Sequence, residues 1–227
     1  MSCLLIDADD TLWENNIYFE DAFDDFVSFL NHSTMTSAEI RDVLNEIELA
    51  NAKIHGYGSK NFGRNLQQAY EHLAERHIRR DDLARVMIFA ERILEQPMVV
   101  IDGVEETLAQ LSVRHELILF TKGHPDEQRL KVERSGLQRY FRHTAIVKEK
   151  DCNAYRNLIQ ERGHPGEDTW MIGNSPKSDI NPALEAGLGA VLVPHARTWV
   201  LELQELRAPE GSRFRRVEQF RDLTTLF

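Results

Sequence analysis

Cys3-Leu4-Leu5-Ile6-Asp7-Ala8-Asp9-Asp10-Thr11 is the stretch that decides the fold. Four apolar residues run into a polar turn, the pattern of a strand buried on both faces of a parallel sheet. Ligands of open α/β sheets bind just beyond the carboxyl ends of such strands. Side chains alternate along an extended segment, so Asp7 and Asp9 are expected on one side. Two crowded carboxylates raise one another's pKa unless a cation shares the site. A metal or acid/base role is therefore expected for the pair, and a turn role for Asp10.

Working outward, apolar runs alternate with helical periodicity. Strands are predicted at 116–121, 144–147, 169–172 and 190–193, with a further one near 214–217. Helices are predicted at 104–112, 125–134, 152–162 and 177–186, with a closing helix at 217–226. This alternation predicts an α/β fold built on a doubly wound, Rossmann-like parallel sheet. Between the first strand and the rest, residues 14–96 read as helices only: about 18–30, 38–50 with Ser37 as cap, 62–77 and 81–94, ended by Pro97. The expected organisation is a core domain of residues 1–13 and 97–227, interrupted by a helical domain of residues 14–96.

Composition sets bounds. The chain has 227 residues, enough for an α/β core and a small second domain. With 42% apolar and 28% charged residues it reads as an ordinary globular protein. No apolar stretch has the length of a membrane span, and no leader pattern is evident. Cys3 and Cys152 form neither a disulfide framework nor a metal-ligand spacing, so a cytoplasmic location is the default expectation. The formal net charge of −10 and the lack of a basic stripe argue against a nucleic-acid polymer as partner. Acidic residues around Glu20–Asp25 alternate with Phe19, Phe23, Phe26 and Phe29, the pattern of a solvated acidic face over an aromatic core face.

Four strand-end motifs complete the reading. Asp7-Ala8-Asp9-Asp10-Thr11 resembles the D-x-D-x-T signature of the haloacid dehalogenase superfamily. Thr121 ends a strand, as does that family's second motif, and Lys148 and Lys150 follow the strand at 144–147. Gly173-Asn174-Ser175-Pro176-Lys177-Ser178-Asp179 is similar to the fourth motif. The resemblance covers essentially the whole chain, and the helical insertion looks like the family's cap domain.

The resemblance implies a Mg2+-dependent phosphatase of small organic phosphates. Asp7 would be the nucleophile and Asp9 the acid/base, with a pKa above that of a free aspartate in the substrate complex. Thr121 and the backbone N–H of Lys122 would hold a phosphoryl oxygen, and the Lys122 side chain is a candidate substrate contact. Lys150, before Asp151 and ahead of Tyr155, fits the family's lysine better than Lys148. Asp7, Asp9, Asn174 and Asp179 are the expected metal ligands, with Asn174 standing where the family usually has an acid. In the helical insertion, Tyr57 and Lys60 of the His55–Lys60 loop are candidate substrate-selecting residues, with a small phosphorylated metabolite as the partner. Two other functions remain open at this point: a 2-haloacid dehalogenase, against which Asp9 argues, and a phosphate-binding protein of little activity.

Overall fold

The computed structural model describes residues 1–227, and the chain divides into two compact units. One comprises Met1–Asn15 and Met98–Phe227, the other Asn16–Pro97.

The first unit is built on a six-stranded sheet: β1 (Cys3–Ile6), β2 (Glu116–Lys122), β3 (His143–Val147), β4 (Thr169–Gly173), β5 (Gly189–Leu192) and β6 (Phe214–Arg216). Strand order is β3-β2-β1-β4-β5-β6, and every pair is parallel. The period of two divides the strand residues between two cores. Leu4, Ile6, Leu117, Leu119 and Ile172 pack on one face with Val104, Leu108 and Val132. Cys3, Leu5, Ile118, Phe120 and Met171 pack on the other with Tyr155, Leu158 and Ile180. Helices thus cover both faces, which is the doubly wound arrangement. The strand order reverses at β1, leaving a crevice between β1 and β4 at their carboxyl ends.

The second unit contains α1 (Asn16–Leu30), α2 (Ser37–His55), α3 (Ser59–Leu73) and α4 (Arg80–Glu91), with a 3-10 turn at Arg92–Glu95. Phe23, Phe26, Leu44, Leu66, Tyr70 and Val86 lie in its core, while Asp21, Asp24 and Asp25 face solvent. Thr36, not Ser37, caps α2. Its hydroxyl accepts from the Glu39 N–H at 3.3 Å, and the Glu39 carboxylate accepts from the Thr36 N–H at 2.7 Å. This reciprocal pairing fixes the start of the helix one residue earlier.

In the first unit, α5 (Val104–Arg114), α6 (Pro125–Ser135), α7 (Cys152–Arg162) and α8 (Asn181–Glu185) connect the strands. The helix expected at 177–186 is divided. Pro176–Ile180 forms a π-helical turn, and only Asn181–Glu185 is α-helical. The closing helix expected at 217–226 is a 3-10 segment, Phe220–Thr225, begun by Asp222 accepting from the N–H groups of Glu218 and Gln219. No helix is long and apolar enough to cross a membrane.

Candidate active site

Asp7 continues the ladder one residue past β1, its N–H donating to the Ile172 carbonyl at 2.9 Å. The chain then turns sharply: the Ala8 carbonyl accepts from the N–H groups of Thr11 and Leu12. Asp10 carries the turn at φ 60°, a conformation that aspartate tolerates better than most residues. Its carboxylate accepts from the Asn15 N–H at 2.9 Å.

Lys150 follows β3 and reaches beneath Asp7. Its Nζ donates to Asp7 Oδ1 and, at 2.7 Å, to Asp179 Oδ1. Lys150 is 3% exposed and Asp179 fully buried, so neither charge is tolerable without the other. Burial works against the Lys150 ammonium, but Asp179 and Asp7 outweigh it and hold its pKa above the ordinary value. Asp179, expected among the metal ligands, has a different set of partners. Its Oδ1 takes Lys150 and its Oδ2 takes the Ser175 N–H at 2.9 Å, so both oxygens are engaged within the protein. The π-helical turn brings it there, and Tyr155 Oη donates to the Ser178 carbonyl at 2.8 Å from below. Gly173 makes the approach possible, because a Cβ there would collide with the Asp179 carboxylate.

Asp9 sits in a second cluster, built largely from α6. Lys131 Nζ lies 2.9 Å from Asp9 Oδ2 and 2.7 Å from Asn15 Oδ1. Gln128 Nε2 donates to Asp9 Oδ2 at 2.9 Å, and Trp13 Nε1 donates to Asp9 Oδ1 at 2.8 Å. Burial pushes the Asp9 carboxyl up, but the Lys131 charge and the three donors together hold it below the usual carboxylate range. The elevated pKa expected for the substrate complex is therefore not a property of the free chain. Thr121 is buried at the end of β2, and its Oγ1 accepts from Gln128 Nε2 at 3.1 Å. Gly123, at φ 142°, lets this corner close: a Cβ would lie 3.0 Å from Gln128 Nε2.

Across the crevice, Asn174 follows β4. Thr11 Oγ1 lies 3.2 Å from Asp7 Oδ2 and 3.3 Å from Asn174 Oδ1. One hydroxyl proton is thus shared, at long range, between two converging oxygens. Burial, and next the charge of Asp179, push the Asp7 carboxyl up to about 7 against the pull of Lys150. Hard oxygens that converge with too few protons and too little positive charge are the donor set that suits Mg2+. The residues present fit the cation on this observation.

Lys122 turns elsewhere. Its Nζ donates to Glu202 Oε1 at 2.5 Å and to Ser178 Oγ at 2.9 Å. Glu202, buried in the 3-10 turn Val200–Glu202, also accepts from Ser175 Oγ at 2.6 Å and Ser178 Oγ at 2.5 Å. Lys148 is not among the partners of Asp7. Tyr57 and Lys60 belong to the helical unit. Only Gly56–Gly58 is non-helical there, with φ of 73° and 117° at the two glycines, and Lys60 is already in the first turn of α3. His195, in the loop after β5, faces Glu14 Oε2 at 3.3 Å and Asp10 Oδ1 at 3.9 Å. Their ligand atoms lie within 4.8 Å of one another. His195 Nδ1 also accepts from the Arg197 N–H at 3.2 Å, which leaves Nε2 as the nitrogen that faces Glu14.

Sequence reasoning missed Gln128, Lys131, Thr198 and Glu202. The first two carry a usable signal, since a spacing of three places them on one helix face. Thr198 and Glu202 lie on irregular backbone, and only tertiary contact reveals them.

The sequence matches the family model of haloacid dehalogenase-like hydrolases over residues 1–187. A search of curated proteins gave no significant match. Among solved structures, the chain is similar to a haloacid dehalogenase-like family hydrolase of Xanthomonas campestris, with 28% identity and a TM-score of 0.85 over 100% of this chain and 94% of that one. The HAD-hydrolase YfnB of Bacillus subtilis, bound to magnesium, superposes with a TM-score of 0.69 and 16% identity over 99% and 97% of the two chains. A 2-haloacid dehalogenase of Pseudomonas syringae pv. Tomato superposes with 0.65 and 18% over 100% and 97%. The last two likenesses concern the fold. With the family model spanning the sheet from β1 to α8 and all four strand-end motifs, this chain belongs to the haloacid dehalogenase-like hydrolases.

Proposed function

We propose that the chain is a Mg2+-dependent phosphatase that hydrolyses a small organic phosphate monoester through a phosphorylated Asp7. The observation that supports this reading best is Asp9, a second carboxylate two residues beyond the nucleophile and engaged by three donors. Dehalogenation of a 2-haloacid expels halide, which leaves as an anion and needs no proton. An alkoxide leaving group does need one, and Asp9, ionised in the free chain, is suited to supply it once it has taken up a proton in the substrate complex.

In the first step an Asp7 oxygen attacks phosphorus in line, the ester P–O bond breaks, and the leaving oxygen takes the Asp9 proton. In the second step Asp9 takes a proton from water, the water oxygen attacks phosphorus, and the Asp7 carboxylate is released with inorganic phosphate. Asp7, the Asp9 main-chain carbonyl and Asn174 would hold Mg2+, with Asp179 instead anchoring Lys150. When bound, Mg2+ supplies positive charge that screens the carboxylate nucleophile from the phosphate dianion. Lys150 adds fixed positive charge on the other side of Asp7. Thr121 Oγ1 and the Lys122 N–H are assigned to a phosphoryl oxygen, where one aimed donor contributes about 3 kcal/mol to a charged transition state. Tyr57 and Lys60 are assigned to the remainder of the substrate. The partner is a small phosphorylated metabolite, and the compartment is the cytoplasm.

A panel of phosphorylated metabolites assayed with and without Mg2+, beside a panel of 2-haloacids, tests the reading. Phosphate release that requires Mg2+ supports it. Halide release without Mg2+ overturns it.

A further inference from the structure

The acidic pattern of the site lapses at residue 174, and its surroundings show how an amide serves there. Asn174 Nδ2 donates to Thr198 Oγ1 at 2.9 Å. Thr198 Oγ1 donates in turn to the His195 carbonyl at 3.1 Å. A hydroxyl has one proton to give. With that proton engaged by His195, Thr198 faces residue 174 as an acceptor and selects the NH2 end of the amide. Asn174 Oδ1 is left pointing at Thr11, beside Asp7 Oδ2.

We propose that Thr198, in the loop after β5, is a positioning residue that fixes Asn174 with its oxygen turned toward the cation. The inference rests on the reading of this crevice as a Mg2+ site. The two ends of a carboxamide are nearly equal in size and opposite in polarity. Turned over, Asn174 would offer N–H donors where Mg2+ requires oxygen. A carboxylate has no such polarity, so an aspartate at 174 needs no residue to orient it. The cost of losing Thr198 must therefore depend on whether 174 is an amide or an acid. Thr198 lies beyond the residues that match the family model, so the family pattern does not assign it.

Calorimetric titration of Mg2+ into the substrate-free protein tests this without recourse to turnover. Thr198→Val removes the acceptor and is expected to weaken Mg2+ binding about fivefold, the equilibrium factor of a single hydrogen bond. Thr198→Ala, which adds no bulk, should show the same loss, and Thr198→Ser should keep parental affinity. In an Asn174→Asp background, Thr198→Val should change affinity by less than about twofold, with the coupling between the two sites carrying the effect. Parental affinity in both Thr198→Val and Thr198→Ala overturns the inference. So does an equal loss in the parental and Asn174→Asp backgrounds, which would mark a general disturbance of the loop. Asp7→Asn separates the two levels. If the parent shows no saturable Mg2+ binding, or if Asp7→Asn does not weaken it, the Mg2+ reading fails and takes this inference with it.

Discussion

Lys131 on α6 holds both carboxylate oxygens of Asp9, at 3.0 and 2.9 Å, although 122 residues separate the two in the chain. The pair is mostly shielded from solvent, with side-chain exposures of 13% and 23%. Gln128, one turn earlier on the same helix, holds Oδ2 as well. This dual grip fixes the rotamer of the proposed acid/base and ties its geometry to α6 as well as to the turn after β1 that bears it.

If Lys131 serves to aim Asp9, Lys131→Met should impair substrates in proportion to their need for a proton on the leaving group. Turnover of an alkyl phosphate is expected to fall about tenfold, a fraction of the full effect of general acid catalysis. Turnover of 4-nitrophenyl phosphate, whose leaving group departs as an anion, should fall much less. Steady-state kinetics on the two esters gives the comparison, and equal losses would count against an aiming role.

Glu202 anchors the segment after β5 to the fourth motif through Ser175 and Ser178 and to the end of β2 through Lys122. Burial pushes its carboxyl up, but the Lys122 charge and the hydroxyl donors hold it below the usual range. Glu202→Ala removes the nearer counter-charge of the largely buried Lys122 ammonium and leaves it only the more exposed Glu149 carboxylate at 4.0 Å, for an expected loss of about 3 kcal/mol in urea unfolding. Because the folded pKa lies below the unfolded value, the contribution is present above that value of about 4.3 and is lost as pH falls through the folded one. The gap between parent and Glu202→Gln should therefore close on acidification.

Glu48 in the helical unit behaves in the opposite sense. Burial pushes its carboxyl up to about 7, Arg41 opposing and Glu20 adding to the shift, and its Oε2 has no hydrogen-bond partner. A folded pKa above the unfolded one means that the fold binds the extra proton. Stability is then highest below about pH 4 with respect to this group and declines as pH rises to about 7. Glu48→Gln should stabilise the protein by on the order of 2 kcal/mol at pH 8 and by almost nothing at pH 4. Denaturation midpoints at the two pH values decide it, and a gain that does not depend on pH would contradict the titration.

For Lys60 the expectation concerns selectivity. Lys60→Ala should lower the specificity constant for the true metabolite at least tenfold while changing that for a small aryl phosphate by less than about twofold, because only the larger substrate has remote groups to bind. An unchanged ratio between the two would leave Tyr57 and Lys60 without a part in substrate selection.

The sheet and its order of elements were legible because the signals for them are local. Apolar runs ending in Asp7, Thr121 and Gly173 mark strands regardless of context, and Gly136, at φ 68°, ends α6 as glycines do. Asp7 and Asn174 stand out in the sequence because each directly follows a strand, and Lys150 because it precedes the next helix. Boundaries failed where side chains compete with the backbone, as Thr36 does at α2 and as Pro176 with Ser175 does at the π-helical turn. The partners of Asp9 and Asn174 were out of reach for a different reason. Lys131 reads as an exposed helical lysine and Thr198 as a loop residue until the fold brings them to the site.

The most direct test of a covalent phosphatase is the chemical state of Asp7 during turnover. Asp9→Asn, which keeps the nucleophile but cannot take a proton from water, should be mixed with Mg2+ and an aryl phosphate, quenched in acid and digested. The expected result is a phosphoryl group on the peptide that contains Asp7, dependent on Mg2+ and absent from Asp7→Asn. An unmodified Asp7 peptide from an Asp9→Asn protein that still releases the phenol, or a parent chain that releases halide from 2-haloacids and no phosphate from any ester, would contradict it.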